Sequence, residues 1–393
     1  MPSIALLEVK LREPLIITRR IGKGGFYSSS NMIPGSTILG ALSREAILYN
    51  VENRRGDCVK LNSPNDPPPC EGCSEKGGCP YIALWRENRI KISDALPSLG
   101  NRQKLGEVET IPELQSIFRG KKSGTLVDGL LFNTVQRMAL KGEVPEDLLV
   151  QRLKAGDEEV KRKPRTVAYS YTDNKIRIEE VSYKSYSASH VGIDPSFRTS
   201  ERALLFSIEA YPEGTIFLCR IIGEPGFIDE HVKNREVRLG ASKSRGYGLA
   251  SINVIGETPL EKYFEMRSEA IEEGFDEIQR RFSSYGVNVF IGTLTGLSPL
   301  SLMRKEGMLS PFQAVSERIG VPQSSIITLM YRRGVRPRWD GGLFIFTPSL
   351  NPGYAAAFTL QRDPRDEAPR LARAEIELLD DIPGYGWVYV NHP

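Results

Sequence analysis

The chain has 393 residues, of which 40% are hydrophobic and 26% charged, and its formal net charge is +3. This length is sufficient for two or three domains, each with its own core. The small net charge excludes a polycationic tail, so any nucleic-acid binding has to come from local clusters. The chain contains no run of about 18 apolar residues and no signal-peptide pattern at its start, which predicts a cytoplasmic protein without a membrane partner.

The first predicted elements are a strand, a basic glycine loop and a helix. Residues 4–12 alternate as a strand does and end at Glu13 and Pro14. The following loop carries Arg19, Arg20 and Lys23 among glycines, which suits either phosphate binding or a solvated hairpin. A Pro-Gly turn at 34–35 then precedes an apolar helical face, with a Ser-Thr pair at 36–37 available to cap the helix.

Four of the five cysteines lie in an insertion at residues 51–81 that has little periodicity. Their spacing, Cys58-x11-Cys70-x2-Cys73-x5-Cys79, predicts a structural zinc site with four thiolate ligands, because a Cys-x2-Cys turn fits tetrahedral geometry. Zinc would also supply the stability that this Gly- and Pro-rich loop lacks. The alternative is four free thiols in a disordered insertion.

In the middle of the chain, the sequence predicts a helix at 126–160, strands between 166 and 222, and a short helix at 227–238. His190 lies within this β region. It could be the general base of a metal-independent ribonuclease. No partner acid or second histidine is indicated, so a positioning or structural role is the other interpretation.

A second basic glycine loop, at residues 239–249, leads into an alternating segment. Its candidate RNA-binding residues are Gly240, Lys243, Ser244, Arg245, Gly246 and Tyr247. The loop lacks the Gly-Lys-Ser/Thr of a P-loop, which argues against nucleotide hydrolysis. Arg-Gly-Tyr-Gly at 245–248 matches only the first half of the aromatic RNA-recognition consensus, which favours backbone contact over base stacking. The alternative is a purely structural turn.

A boundary is predicted near residue 257, which gives an N-terminal domain at 1–257 and a C-terminal domain at 258–393. The second half begins with an amphipathic helix of about six turns and then mixes strands and helices. Arg332 and Arg333 lie in an Arg-rich stretch flanked by aromatic residues, which suits RNA or a subunit contact. A reduced Gly-Tyr-Gly loop at 384–386 precedes the last strand. The chain is therefore of the α+β class and resembles two copies of one unit.

The chain is similar to the RAMP superfamily of CRISPR-associated proteins. Three segments carry the resemblance: Ile-Pro-Gly-Ser-Thr-Ile-Leu-Gly-Ala-Leu at 33–42, His190 to Asp194 with Arg198 and Thr199, and the glycine loop at 240–248. Within the superfamily the chain looks most like the large two-domain RAMP subunit (the Csx-ten group) of type III-D effector complexes.

The resemblance implies two ferredoxin-like (RRM-like) RAMP domains, the first with the zinc-binding insertion, that bind CRISPR RNA beside other RAMP subunits and the large subunit of a type III complex. It implies a non-catalytic subunit in antiviral defence that holds the crRNA 5′ handle region. Arg44 and Arg198 are further candidate RNA-binding residues. Target-cutting RAMP subunits have an aspartate in the loop after the first strand, and here 18–32 contain no acid. The alternative is a metal-independent repeat-processing endoribonuclease that uses His190.

Overall fold

The fold was analysed in a computed structural model. It describes residues 1–20, 26–29, 31–53, 70, 72–74, 79–85, 90–100, 105, 110–149, 151–172, 175–181, 185–193, 200–304, 307–340, 343–377 and 385–391. Lys23, Cys58 and Arg198, three of the predicted site residues, lie outside the described residues. The helices are, in chain order, α1 (Gly35–Glu52), α2 (Pro80–Trp85), α3 (Leu130–Leu140), α4 (Pro225–His231), α5 (Leu260–Ser283), α6 (Pro311–Ile319) and α7 (Pro364–Glu377).

The strands are mostly short. In chain order they are β1 (Ser3–Leu11), β2 (Thr18–Arg20), β3 (Phe26–Ser29), β4 (Lys91–Ile92), β5 (Leu96–Pro97), β6 (Ile111–Leu114), β7 (Ile117–Gly120), β8 (Leu126–Asp128), β9 (Lys154–Ala155), β10 (Glu158–Arg162), β11 (Arg165–Thr172), β12 (Lys175–Glu180), β13 (Tyr186–Ile193), β14 (Ser200–Ala210), β15 (Ile216–Gly223), β16 (Arg235–Arg238), β17 (Leu249–Pro259), β18 (Ile291–Gly296), β19 (Leu300–Ser301), β20 (Met303–Arg304), β21 (Gly307–Met308), β22 (Ile326–Met330), β23 (Arg333–Asp340), β24 (Leu343–Leu350), β25 (Ala355–Thr359) and β26 (Val388–Val390). This composition is mixed α+β, as predicted.

The chain divides into two compact units. Unit 1 contains residues 1–105 and 182–258, and unit 2 contains 106–181 and 259–393. The change of unit after Thr258 falls one residue from the predicted boundary. Residues 106–181, which we had expected in the N-terminal domain, fold with unit 2 instead. There α3 packs on β22 and β25, so the apolar side of α3 is buried by strands distant in sequence.

Two helical predictions were wrong in part. Among the described residues of the stretch 126–160, only α3 and a 3-10 turn at Glu146–Leu149 are helical, and β9 and β10 follow. Gly142 and Gly156 adopt positive φ values of 71° and 64°, which end regular helix. Residues 227–238 are divided between α4 and β16, because alternation in Arg235–Arg238 lets that segment pair with β17.

The main sheet of unit 1 has the order β16-β17-β1-β15-β4. Its four principal strands are, in chain order, β1, β4, β15 and β17, with α1 after the first strand and α4 before the last. In the sheet, the last strand (β17) lies beside the first (β1), and the third (β15) lies between the first and the second (β4). Ile38, Leu39, Leu42 and Ala46 of α1 are buried in the same core cluster as residues of β1, which confirms the helical face predicted from sequence.

The main sheet of unit 2 has the order β22-β25-β18-β26. Its chain order is β18, β22, β25, β26, with α6 after the first strand and α7 before the last. The spatial arrangement is therefore the same as in unit 1, fourth-first-third-second. The first and third of these strands pair antiparallel in both units, β1 with β15 and β18 with β25. α5 packs against α7 on one side of the second sheet. The structure thus repeats one topology in the two units.

A buried ion pair holds the helical layer of unit 2 to its last strand. Arg267 of α5 and Glu375 of α7 are 1% and 2% exposed. The Arg267 Nε and Nη2 atoms donate to the two Glu375 carboxylate oxygens at 2.9 and 2.8 Å. The guanidinium also donates to the Tyr389 hydroxyl at 3.0 Å, and the Val390 amide donates to Glu375 at 2.7 Å. Every group in this cluster therefore has a charged or polar partner.

The remaining sheets are smaller. β13-β14-β3-β2 belongs to unit 1, whereas β8-β7-β10-β9, β12-β11-β6, β19-β24-β23 and the β20-β21 hairpin belong to unit 2. Within the described part of the chain, none of the helices combines the length and the apolar character needed to cross a membrane.

Candidate nucleic-acid interface

The glycine loop between β16 and β17 has a backbone that only glycine tolerates at two positions. Gly240 and Gly248 have φ values of 69° and 90°. A Cβ atom at Gly240 would lie 2.2 Å from the Ile16 carbonyl oxygen, and one at Gly248 would lie 2.0 Å from the Leu239 carbonyl oxygen. These glycines are therefore required for close backbone approach, as the sequence pattern indicated.

Backbone hydrogen bonds fix the loop against the segment that follows β1. The Ala241 amide donates to the Ile16 carbonyl at 3.0 Å, and the Gly248 amide donates to the Pro14 carbonyl at 2.9 Å. Leu239 and Gly248 close the base of the loop through a 2.8 Å bond. The structural turn that was named as the alternative is thus present, and it is anchored mainly to residues 14–16.

An ion pair that sequence reasoning missed braces the same loop. The Arg238 guanidinium donates to the two Glu13 carboxylate oxygens at 2.7 and 3.1 Å. Arg238 also donates to the Tyr247 carbonyl at 3.3 Å, and Glu13 accepts the Leu249 amide at 3.2 Å. The Arg238 hydrogen bond holds the pKa of Glu13 below its usual value. The only sequence signal was the position of each residue at a strand end, which does not identify a pair.

The loop presents its polar tip to solvent. Ser244, Arg245 and Gly246 are exposed, whereas Lys243 and Tyr247 are half-buried. A short 3-10 turn at Lys243–Arg245 lies between Ser242 and Gly246, which both have left-handed backbone conformations. Exposed amides and cations on a fixed turn suit an anionic backbone. The half-buried ring of Tyr247 offers little surface for stacking a base.

Helix α1 adds charge beside Lys243. Burial lowers the pKa of Lys243, and the nearby Arg44 lowers it further, whereas Glu45 opposes the shift. Burial raises the pKa of Glu45, with Arg44 acting in the opposite direction. The structure therefore brings together Arg44 and Lys243, two predicted RNA-binding residues that are 199 positions apart in the chain. Two neighbouring cations repel each other, and an anion placed near them relieves that repulsion.

The first amide of α1 already has an anionic partner. Asp94 Oδ1 accepts the Gly35 amide at 2.9 Å, and both residues are buried. The cap residue is Pro34, so the expected capping by Ser36 or Thr37 is wrong. A carboxylate from the segment between β4 and β5 replaces the local cap, because it satisfies the orphan donor and interacts favourably with the helix dipole.

The other predicted RNA-binding residues are more scattered. Arg19 and Arg20 form the end of β2, which starts two residues after Ile16, although their side chains lie outside the described part. Arg332 and Arg333 are exposed at the start of β23 in unit 2. His190 lies in β13 and its backbone pairs with Phe206, but its side chain also lies outside the described part.

A cavity of about 440 Å³ lies on unit 1 between α1, α2 and α4. Its lining includes the carboxylates of Glu45, Glu52, Glu230 and Glu236, with Arg235 as the cation. This excess of negative charge disfavours a phosphate chain. The glycine loop is the more suitable anionic-ligand site in the described part of unit 1.

Two of the three described cysteines of the insertion pack beside α2. Cys70 and Cys79 are buried in one cluster with Ile82, and Cys73 is half-buried. The Asn50 side chain of α1 donates to Cys79 Sγ at 3.3 Å. Among the described residues, no three His, Cys, Asp or Glu side chains are grouped to hold a metal, and Cys58 lies outside them. Two thiols in one cluster fit part of a tetrahedral thiolate site, and zinc remains a prediction.

The corresponding loop of unit 2 is fixed by a buried arginine. Arg318, which is 1% exposed, donates to the carbonyl oxygens of Gly386 and Ala374, and to that of Glu375 at 2.7 Å. The Gly386 amide donates to the Pro299 carbonyl at 2.8 Å. The described part of this loop, 385–387, carries no cation, and Tyr385 and Trp387 are buried. The loop repeats the anchoring of its counterpart in unit 1 without its charged tip.

Comparisons with solved structures give distant likenesses to CRISPR proteins. A chain of "Type III-B Cmr-beta bound to cognate target RNA and AMPPnP, state 1" is 13% identical with a TM-score of 0.38, and the match covers 90% of this chain and 86% of that one. A chain of "Type III-B Cmr-beta bound to cognate target RNA" is 13% identical with a TM-score of 0.37, and the match covers 94% of each chain. These scores are too low to assign a role.

Sequence comparison gives the family. A search of curated proteins finds no match. The family model described as "RAMP superfamily" matches residues 18–251, which include β2, α1 and the glycine loop with its two required glycines. The match covers more than half of the chain, and the chain belongs to the RAMP superfamily.

Proposed function

We propose that this protein is a crRNA-binding structural subunit of a type III CRISPR RNA-guided effector complex in antiviral defence, and that it holds the crRNA 5′ handle region. The observation that carries the proposal is the braced glycine loop of unit 1, which presents Arg245 to solvent and places the half-buried Lys243 near Arg44 of α1. Membership of the RAMP superfamily supports it. The partners would be crRNA, other RAMP subunits and the large subunit of the complex.

The loop suits the RNA backbone better than the bases. Its tip offers amides and cations, and the Glu13–Arg238 brace holds these in one geometry before RNA arrives. A fixed site loses little conformational entropy on binding. The last two aromatic positions of the RNA-recognition consensus hold Leu249 and Ile252, and the Tyr247 ring is half-buried, so we expect binding that varies little with sequence.

Each unit would be a ferredoxin-like RAMP domain. The repeated strand order in the two main sheets supports this, and so do the matching anchors of the two glycine loops. The Csx-ten type of subunit in a III-D complex remains our proposal for the subtype. Four cysteine thiolates would hold structural zinc in the first domain, where the metal would stabilise an insertion with little core of its own.

The test is the salt dependence of binding to repeat RNA. We expect the Lys243→Ala/Arg245→Ala variant to bind more weakly and to lower the slope of log K against log salt by about 0.7 for each phosphate that the variant no longer neutralises. Lys233→Ala is the matched control, because Lys233 is exposed in the same unit and pairs with Asp229 at 2.8 Å. An unchanged slope in the double variant would refute the proposed role of the loop in RNA binding.

The same preparation tests the enzymatic alternative. Labelled repeat RNA incubated with the protein in EDTA should remain intact if the subunit is non-catalytic. Defined cleavage that is absent in His190→Ala would instead identify a metal-independent endoribonuclease and overturn the structural role. If the RNA remains intact, crosslinking of the assembled complex with RNA would locate the subunit relative to the crRNA 5′ handle.

A further inference from the structure

Strands β23 and β24 of unit 2 present a row of apolar side chains to solvent. Phe346 and Val335 are 67% and 59% exposed, and Pro348 is half-buried. In the antiparallel register Val335 is opposite Pro348, and Phe346 lies two positions before Pro348 on the same strand. Opposed residues are about 5 Å apart and alternate residues of one strand about 7 Å apart, so the three side chains form one continuous row.

The other face of β24 is buried, which fixes the strand that carries this row. Thr347 and Ser349, which alternate with Phe346 and Pro348, are 5% and 0% exposed. The Leu302 amide also donates to the Pro348 carbonyl at 2.9 Å. The exposed ring of Phe346 therefore stands on an anchored strand, and a ligand that covers it has little backbone to order.

The row continues into positive charge at the start of β23. Arg333 lies two positions before Val335, on the same face of the strand, and Arg332 precedes it. Both arginines are exposed, and neither forms an ion pair with another described residue. Residues 331–339 contain four arginines and no acid. Uncompensated cations beside an exposed aromatic ring suit a polyanion with planar bases better than an apolar peptide.

We propose that Phe346 is a base-stacking residue for single-stranded RNA, and that Arg332 and Arg333 bind phosphates next to the stacked base. The inference rests on the proposed RNA-binding function and adds a second contact of a different chemical kind. The loop of unit 1 offers amides and cations to the RNA backbone, whereas Phe346 offers a ring to a base. Every base has a π-face, so this contact does not require a particular sequence.

Sequence alone indicates other aromatic residues for this role. Tyr331 and Trp339 flank the arginines along the chain. Tyr331 packs against the core of unit 2, and the Trp339 side chain lies outside the described part. Phe346 comes close to the arginines only because β24 pairs with β23. The stacking residue is thus identified by the register of the two strands.

Binding of the full chain to two RNAs tests the proposal: oligouridine and an abasic strand of the same length. Phe346→Ala should weaken binding to oligouridine by about 5- to 150-fold, as expected for the loss of one base–aromatic contact, and should leave binding to the abasic strand unchanged. Phe346→Trp should retain the affinity of the wild type. Phe290→Ala is the matched control, because Phe290 is 41% exposed in the same unit and residues 283–296 contain no arginine.

Salt dependence separates the arginines from the ring. Arg332→Ala/Arg333→Ala should lower the slope of log K against log salt by about 0.7 for each phosphate no longer neutralised, whereas Phe346→Ala should lower affinity without changing the slope. Circular dichroism checks that every variant folds.

Two results would overturn the inference. The first is a folded Phe346→Ala that binds oligouridine as the wild type does, or that loses equal affinity for both RNAs; the exposed row would then suit a protein partner instead. The second needs no variant and is a wild type with equal affinity for the two strands. Lys243→Ala/Arg245→Ala tests the proposed function separately, so a failed stacking test leaves the RNA contact of unit 1 to be decided by its own salt slope.

Discussion

Replacement of Arg267 by methionine should destabilise unit 2 strongly. Methionine fills much of the volume of the arginine stem but leaves the Glu375 carboxylate, which is 2% exposed, without its cation. Loss of one partner of a buried ion pair costs about 3–5 kcal/mol. For a unit of this size, about 2–4 °C is lost per kcal/mol, so we expect the melting temperature to fall by about 6–20 °C.

Calorimetry at several pH values checks both the size of this effect and its cause. The unpaired Glu375 in Arg267→Met should have a raised pKa in the folded state, so it binds more protons there than in the unfolded state. The variant should therefore be closest to wild type at low pH and should lose stability as the pH rises. The double variant Arg267→Met/Glu375→Leu should recover most of the loss at neutral pH. A single variant as stable as wild type, or one with no pH dependence relative to it, would refute this reasoning.

Three further predictions concern the glycine loop and RNA binding. Glu13→Gln should loosen the loop and weaken RNA binding at neutral pH. Because the folded pKa of Glu13 is lowered, the wild-type ion pair with Arg238 should persist above the ordinary glutamate pKa and be lost as the pH falls through the folded value. RNA binding measured over a series of acidic pH values would detect that loss. Gly248→Ala should lower the free energy of unfolding by at least about 1 kcal/mol, whereas Gly246→Ala, with open space around the glycine, should lower it less. Equal losses in thermal unfolding of the two variants would contradict the clash of a Cβ at Gly248 with Leu239. Lys243 has a lowered pKa, so wild-type RNA affinity should fall as alkaline pH removes its charge, and Lys243→Arg should retain affinity there.

The glycine loop illustrates what local sequence can and cannot predict. Its glycines and cations were readable, because positive φ and exposed charge are properties of residue type. The brace was not, because Glu13 and Arg238 are 225 positions apart and neither has a local pattern that identifies the other. The Asp94 cap of α1 was missed for the same reason, since the local Ser-Thr pair already offered a cap.

The segment 106–181 shows the same limit at the level of domains. Its own periodicity predicted helix and strands, and α3 and β11 confirm part of that. No local property indicated that it would fold with unit 2. The apolar face of α3 requires a partner, and the chain itself does not say which sheet supplies one.

The sequence by itself determined the α+β class, the long helix α5, the buried face of α1 and the positions of both glycine loops, because these depend on periodicity and residue type within about 20 residues. Tertiary structure decided the repeated strand order, the assignment of 106–181 to unit 2 and the pairing of Glu13, Asp94, Asn50 and Glu375 with their distant partners. Buried polar groups must find partners wherever the fold brings a donor and an acceptor together, and that choice is made in space rather than along the chain.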